Sequence, residues 1–362
     1  MKKILALLMA VVMVLGLTAC GGSKTEAPAK TETPAKTEAP AKTETKTEAP
    51  AEVKPEVVVQ IAYENFPGEP TDLACNEWAR LIEEKSGGTM KAEIFHSGQL
   101  GSKTDLLDQM QMGEPIITLG DGSFWADYGA PEISITAAPY IYDNWDQAWK
   151  LLETDWYDEQ VELLASNGIR ILTANWAYGE RNLMTTVPVR TIEDLSGVIV
   201  RTPNNVIQMR TWEAMGAAPT AMALNEVYTA TQQGTIDGME NPMATLYGQS
   251  YYEVAKYITM TGHVLMPTQW ATSESFFQSL TPEQQQILCE AGDEAGLYQN
   301  QKQDEMLADY VAKMEAAGVE IIELDPAEKQ KFVDAAAGIY SDPDVTGAWR
   351  DGLYDMIREV IA

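Results

Sequence analysis

Residues 198–205 read VIVRTPNN. Val198 and Val200 alternate along a short β-branched run, so both are expected to face a core. Arg201 ends the run, and Pro203 cannot continue it. Asn204 or Asn205 can cap a following helix, which runs to Met215 before Gly216. A strand that leads through a turn into a capped helix is one step of an open α/β sheet. In such sheets ligands sit outside the carboxyl ends of the strands. The stretch therefore delivers a guanidinium to the place where a ligand is expected. Arginine there can hold a carboxylate by two parallel hydrogen bonds. The competing reading is a solvated arginine answering a nearby acid such as Asp194.

The same alternation extends in both directions. Residues 57–62 (VVVQIA) read as a buried strand, and Thr71 can cap a helix carrying Ala74, Trp78, Leu81 and Ile82 on one face. Strand 90–96, helix 103–112 and strand 115–119 follow, punctuated by Gly87, Gly88 and Gly113. Further strands are expected at 169–174 and 257–261, and a helix from Asn225 to Gly234. This order predicts parallel strands with helices on the sheet faces. From Thr281 the pattern changes. Thr281, Pro282 and Gln284 form a capping box with proline at the first helical position, opening a helix that extends to Ala317. Gly292 and Gly296 are expected to mark a bend in it. A helix of this length exceeds the need of one small domain and suits a strut shared by two. A strand at 319–324 and helices from Pro326 and Val345 close the chain.

Two segments precede this globule. Residues 1–19 carry Lys2 and Lys3, then an apolar run too short for a membrane span, ending in LTAC at 17–20. That ending resembles a bacterial lipobox, so Cys20 is the expected lipidation site. Residues 20–56 repeat Lys, Thr, Glu, Pro and Ala with almost nothing to bury, and read as a disordered tether.

Set apart, these segments hold eight lysines and seven glutamates, which leaves 17 basic against 47 acidic residues in 57–362, a net charge of −30. Nucleic acid is excluded as a partner, because it needs a basic footprint. Cys75 and Cys289 lack metal or redox spacing, and free thiols are expected over a disulfide. Two histidines, His96 and His263, stand without neighbouring ligands and read as strand-end and loop residues. No nucleophile elbow, Walker loop, dinucleotide-binding glycine pattern or HExxH motif occurs. The reading is a binder, not an enzyme, with no cofactor and no metal.

Longer motifs sharpen it. GERNLM (179–184), DLSGVIVRTP (194–203), MGAAPTAM (215–222) and NEVYTATQQGTIDGMENP (225–242) together resemble the solute-binding proteins of TRAP (tripartite ATP-independent periplasmic) transporters, the DctP-like family. YENFP (63–67), EEKSGG (83–88), SGQLG (97–101) and PYIY (139–142) agree with it. The resemblance implies a two-domain, periplasmic-binding-protein-like α/β clamp with mixed sheets and a long helix spanning both domains. One domain would comprise 57–178 plus 267–306, the other 179–266 plus 307–362. It implies a small organic acid trapped between them, Arg201 salt-bridging the carboxylate, Asn241 donating a hydrogen bond, and Arg181 as a second cleft arginine. Tyr63, Asn65, Trp125 and Trp176 are cleft candidates by position, with Trp270 expected in packing. The pattern departs at Leu224, where many members carry an aromatic residue. The implied partners are TRAP membrane permease subunits and, through Cys20, the outer face of the cell membrane; a monomer is expected. Two alternatives remain: a sensor subunit presenting the same ligand, and a lipoprotein enzyme acting on organic acids with Glu240 as its acid–base group.

Overall fold

The computed structural model describes residues 54–362; the expected signal segment, Cys20 and nearly all of the tether lie outside them. The strands are β1 (Val57–Ala62), β2 (Met90–Phe95), β3 (Ile116–Gly120), β4 (Ile169–Thr185), β5 (Ile199–Thr202), β6 (Ala218–Ala221), β7 (Gly238–Asn241), β8 (Tyr257–Ser273) and β9 (Glu320–Ile322). They form one mixed sheet in the order β2-β1-β3-β8-β4-β7-β5-β6, with β9 paired to β8.

β4 and β8 organise it. Each is 17 residues long, and they run antiparallel beside one another. β3 joins β8 at Gln269–Thr272, and β7 joins β4 at Asn182–Thr185. One end of the pair therefore belongs to a half-sheet with the parallel β1, β2 and β3. The other end belongs to a half-sheet with the parallel β5, β6 and β7. The sequence indicated only the outer ends of β4 and β8. Their middles carry register shifts, including one between Ala177 and Gly179 and one between Arg181 and Leu183. Such bulges erase the two-residue period that signals a strand. Gly179 sits at φ +133°, and a Cβ there would lie 2.7 Å from Pro242, so only glycine fits this bulge.

The helix Pro282–Ala316 carries the expected capping box of Thr281 and Gln284. It continues as one helix through both glycines. A Cβ on Gly292 would approach Trp78 at 2.8 Å, and one on Gly296 would approach Trp176 at 2.7 Å. The glycines let the helix lie close against an aromatic cluster of Trp78, Trp176 and Trp270. Two other boundaries differ. The first helix, Pro70–Lys85, starts with Pro70 after Glu69, so Thr71 lies inside it as a buried residue and does not cap. Leu224–Glu226 form a single 3-10 turn ahead of helix Val227–Gln232, which displaces Asn225 from the cap. Asn205 does cap helix Val206–Ala214 through the amide of Gln208. Val345, Leu353, Ile357 and Ile361 near the C-terminus pack with Leu107, Trp125 and Trp156 of the first half-sheet's surroundings. Cys75 and Cys289 are both free thiols.

Candidate functional site

Two pairs of parallel strands, running toward each other from the two half-sheets, end at one cleft. β1 is followed by Glu64 and Asn65, β3 by Asp121, β5 ends in Arg201 and Thr202 before Pro203, and β7 ends in Asn241. All of these but Thr202 line an inner chamber, together with Lys103, Phe124, Tyr178, Arg181 and Leu224. The chamber shares walls with a wider mouth of about 350 Å³ that reaches Ser102, Asn204 and Met222. Because the strand ends come from both half-sheets, the cleft lies between them, as expected for an open α/β architecture.

Arg201 is 4% exposed. Its Nε and Nη2 donate to the Met222 carbonyl at 2.9 and 2.7 Å, and Nη1 makes no bond among the described residues. No carboxylate lies within ion-pair distance of it. Burial pulls its pKa down, against weaker opposing effects of Tyr251, Glu64 and Glu240. Asn241 stands beside it on the cleft wall, its Nδ2 buried and without an acceptor.

Arg181 is equally buried but ion-paired through Nε and Nη2, while its Nη1, like that of Arg201, has no partner among the described residues. Its Nε donates to Glu240 Oε2 at 2.5 Å, and Nη2 donates to Glu240 Oε1 at 2.7 Å and to the Glu240 carbonyl at 3.0 Å. His263 Nε2 lies 3.2 Å from the same Oε2, and its Nδ1 lies 2.9 Å from Thr261 Oγ1. His263 is thus a buried residue of β8 and not a loop histidine. Thr261 lies two residues before it on the same strand, but Glu240 comes from β7 across the sheet, which no sequence spacing announces. Burial by itself would raise the Glu240 carboxyl, but the Arg181 charge and the bonds from His263 and Arg181 outweigh it and hold it at about 2. Glu240 lies behind Arg181 and does not line the chamber.

The remaining candidates divide. Asn65 lines the chamber and donates to Glu69 Oε2 at 2.7 Å and to Tyr178 Oη at 3.2 Å. Tyr63, Trp125 and Trp176 do not line it. Tyr63 donates to Asp72 at 2.8 Å and packs edge-on against Trp270. Trp125 donates to Gln269, and Trp176 to the Gly292 carbonyl. Trp270 packs within the same aromatic cluster, as expected. His96, at the end of β2, contacts Ser97 Oγ at 2.9 Å.

Sequence reasoning missed Lys103, Glu64 and Asp121. Lys103 donates to the Leu119 carbonyl at 3.2 Å and lies over the Phe124 ring at 5.2 Å. Burial lowers its pKa, Glu64 and Asp121 oppose this, and Arg181 and Arg201 add to it. Glu64 is 8% exposed, and among the described residues its carboxylate has no hydrogen-bond or ion-pair partner. Asp121 caps the short turn Gly122–Trp125 through the Ser123 amide at 2.9 Å. The signal was available for Glu64 and Asp121: each is an acid within two residues of the end of a hydrophobic parallel strand.

Among the described residues no cluster of side chains has metal-binding character, and no helix is long and apolar enough to cross a membrane. Residues 61–343 match the family described as bacterial extracellular solute-binding protein, family 7. A TRAP periplasmic solute-binding protein from Ochrobacterium anthropi, solved with bound L-fuconate, is 38% identical with a TM-score of 0.81, covering 85% of this chain and 100% of its own. The 2,3-diketo-L-gulonate-binding periplasmic protein of Escherichia coli is 28% identical, covering 76% of this chain and 84% of its own. The C4-dicarboxylate-binding protein of Bacillus subtilis is 25% identical, covering 79% of this chain and 81% of its own. The chain belongs to family 7 of the bacterial extracellular solute-binding proteins, the DctP-like receptors of TRAP transporters, two-domain α/β proteins that bind small organic acids outside the cytoplasm.

Proposed function

We propose that the protein captures a small organic acid in the cleft, with Arg201 taking the carboxylate and Asn241 donating to it, and delivers it to TRAP membrane permease subunits. One observation carries this reading. Among the described residues every other arginine is ion-paired, whereas Arg201 is buried without a carboxylate partner. An unpaired buried charge costs several kcal/mol, so a site that keeps one is built for an anion from outside. The free Nη1 and the unpartnered Asn241 Nδ2 supply further donors.

Capture works by closure. The lobes are 57–178 plus 267–306 and 179–266 plus 307–362, although the C-terminal helices rest against the first lobe's core. The bulged middles of β4 and β8 are the hinge, and the helix Pro282–Ala316 is the strut. Ligand contacts to both lobes select the closed form. Glu240 is committed to Arg181 and His263 and is not free for acid–base work, which favours a receptor over an enzyme. The receptor acts as a monomer, held at the outer face of the cell membrane by lipidated Cys20 on its tether. Incorporation of labelled palmitate into the wild type but not into Cys20→Ala tests the anchor.

The test of the site is a thermal-shift screen of the purified protein against small carboxylates, repeated with Arg201→Ala. A ligand at 100 times its Kd adds about 2.7 kcal/mol of stability. The shift is expected to vanish in Arg201→Ala. A shift of equal size in the variant would place the carboxylate elsewhere.

A further inference from the structure

We infer that Glu69 is a clasp between the two lobes and that it takes up a proton when they come together, so that acid favours the joined arrangement. The inference rests on the reading of capture as closure of two lobes.

Glu69 lies in the loop between β1 and the first helix, directly before Pro70. It is 2% exposed. Within its own lobe it accepts from the Phe66 amide and from Asn65 Nδ2, both at 2.7 Å. From the other lobe the Thr245 hydroxyl donates to it at 3.2 Å. Thr245 belongs to the short helix Met243–Gly248. Gly248 closes against the same side chain, and a Cβ there would collide with Glu69 Cγ. Two further bonds cross this seam. Gln249 Nε2 donates to the Glu64 carbonyl at 3.2 Å, and Tyr310 Oη donates to the Gly68 carbonyl at 3.4 Å. The loop 64–69 is thus gripped by the other lobe, with the Glu69 carboxyl inside the grip.

That carboxyl has no counter-charge. Among the described residues its hydrogen-bond donors are all neutral, and no lysine, arginine or histidine lies within ion-pair distance of it. A buried carboxyl so placed favours its neutral form. Burial pushes it up to about 7; the bonds from Phe66, Asn65 and Thr245 pull the other way, and the Asp72 charge adds to the rise. The titratable groups around it are Asp72 and Tyr63 on its own lobe, Tyr178 on β4, Tyr251 on the other lobe and Tyr310 on the long helix. Burial raises all four tyrosines, so they stay neutral near pH 7. The charges of Arg181 and Arg201 act on Tyr178 and Tyr251.

The seam accommodates the proton without losing a bond. Thr245 Oγ1 stands 3.2 Å from Glu69 Oε2 and 3.1 Å from Tyr178 Oη. With Glu69 ionised, Tyr178 donates to Thr245 and Thr245 donates to Glu69. With Glu69 protonated, both bonds reverse. Separation of the lobes admits water to the carboxyl and returns it to its ordinary 4.5. The joined arrangement therefore binds the extra proton. Its advantage is complete below pH 4.5, fades as the pH rises from there and is gone above 7.

The experiment measures the distance between two spin labels on the ligand-free, full-length chain. Lys91→Cys carries one label and Gln233→Cys the other, at exposed positions of the two lobes. Cys20 and Cys289 are replaced by serine, and Cys75 is buried. From pH 8 to pH 6 the ratio of short to long distances is expected to rise about tenfold, and to change by less than about twofold in Glu69→Gln. Infrared spectra of the wild type over the same range are expected to gain the carbonyl stretch of a protonated carboxyl, a readout that needs no variant to fold. A missing stretch, a ratio that ignores pH, or an equal rise in Glu69→Gln would overturn the inference. No ligand is present, so the outcome leaves the role of Arg201 untouched. A single distance at every pH would sink lobe closure together with the clasp, whereas two distances in a fixed ratio would sink the clasp alone.

Discussion

Arg181 and Arg201 lie at equal depth, 4% exposed each, on one cleft, yet their surroundings are opposite. Around Arg181 the protein has closed its own account: two bonds to the Glu240 carboxylate, one to its carbonyl, and His263 and Thr261 behind. Around Arg201 the only protein acceptor is one carbonyl. The same side chain is a structural tie in one place and an open valence in the other. Residue type alone does not distinguish these roles; the presence of a buried counter-charge does. The comparison also explains how an acidic protein can bind an anion. Distant surface carboxylates are screened over about 8 Å at physiological salt, while a buried, unpaired guanidinium acts at contact.

The contrast can be broken by substitution. Arg181→Ala leaves the buried Glu240 carboxylate with His263 as its only side-chain partner among the described residues, and is expected to cost about 3–5 kcal/mol of folding stability, read by denaturant unfolding. A loss below about 1 kcal/mol would mean that the pair is not a structural tie. Arg201→Ala is expected to do the reverse. It should weaken ligand binding by about 2–5 kcal/mol, read by calorimetry, while folding stability falls by no more than about 1 kcal/mol, because the lost bonds to the Met222 carbonyl are offset by removal of a buried, unpaired charge. Equal damage to stability from both variants would erase the distinction.

Acid sharpens the comparison further. The Glu240 carboxyl is held at about 2, below its unfolded value of 4.5. Its contribution is therefore complete above pH 4.5 and is lost as the pH falls from there toward 2. Thermal unfolding from pH 5 to pH 2.5 should show this loss, and Glu240→Gln should flatten that part of the profile. An unchanged slope would mean that another carboxylate dominates. The smallest effect is expected from Asn241→Ala, which removes a donor with no partner in the protein. It should cost about 1 kcal/mol of ligand affinity and almost nothing in stability. A clear stability loss would show that the amide serves the fold instead.

The order of strands and helices was legible because short parallel strands and capped helices obey local rules. Asn205 and Thr281 cap where they were expected to, and β1, β2 and β3 lie close to their expected bounds. The middles of β4 and β8 were not legible, because bulges at Gly179 and beyond break the period that a strand shows in sequence. Gly292 and Gly296 hide their role for a related reason. A glycine in a helix looks like weakness until the tryptophan that needs its space is known.

The sequence by itself determined the α/β class, the family motifs and the position of Arg201 at the end of its strand. These follow from neighbours along the chain, where propensity, periodicity and capping act. Only the tertiary structure decided that Arg181 is tied to Glu240 and His263 while Arg201 is left open. Only it gathered Glu64, Lys103 and Asp121 around the same chamber as Arg201. Those facts depend on which charges meet across strands far apart in sequence, and a buried charge is defined by what stands beside it in space.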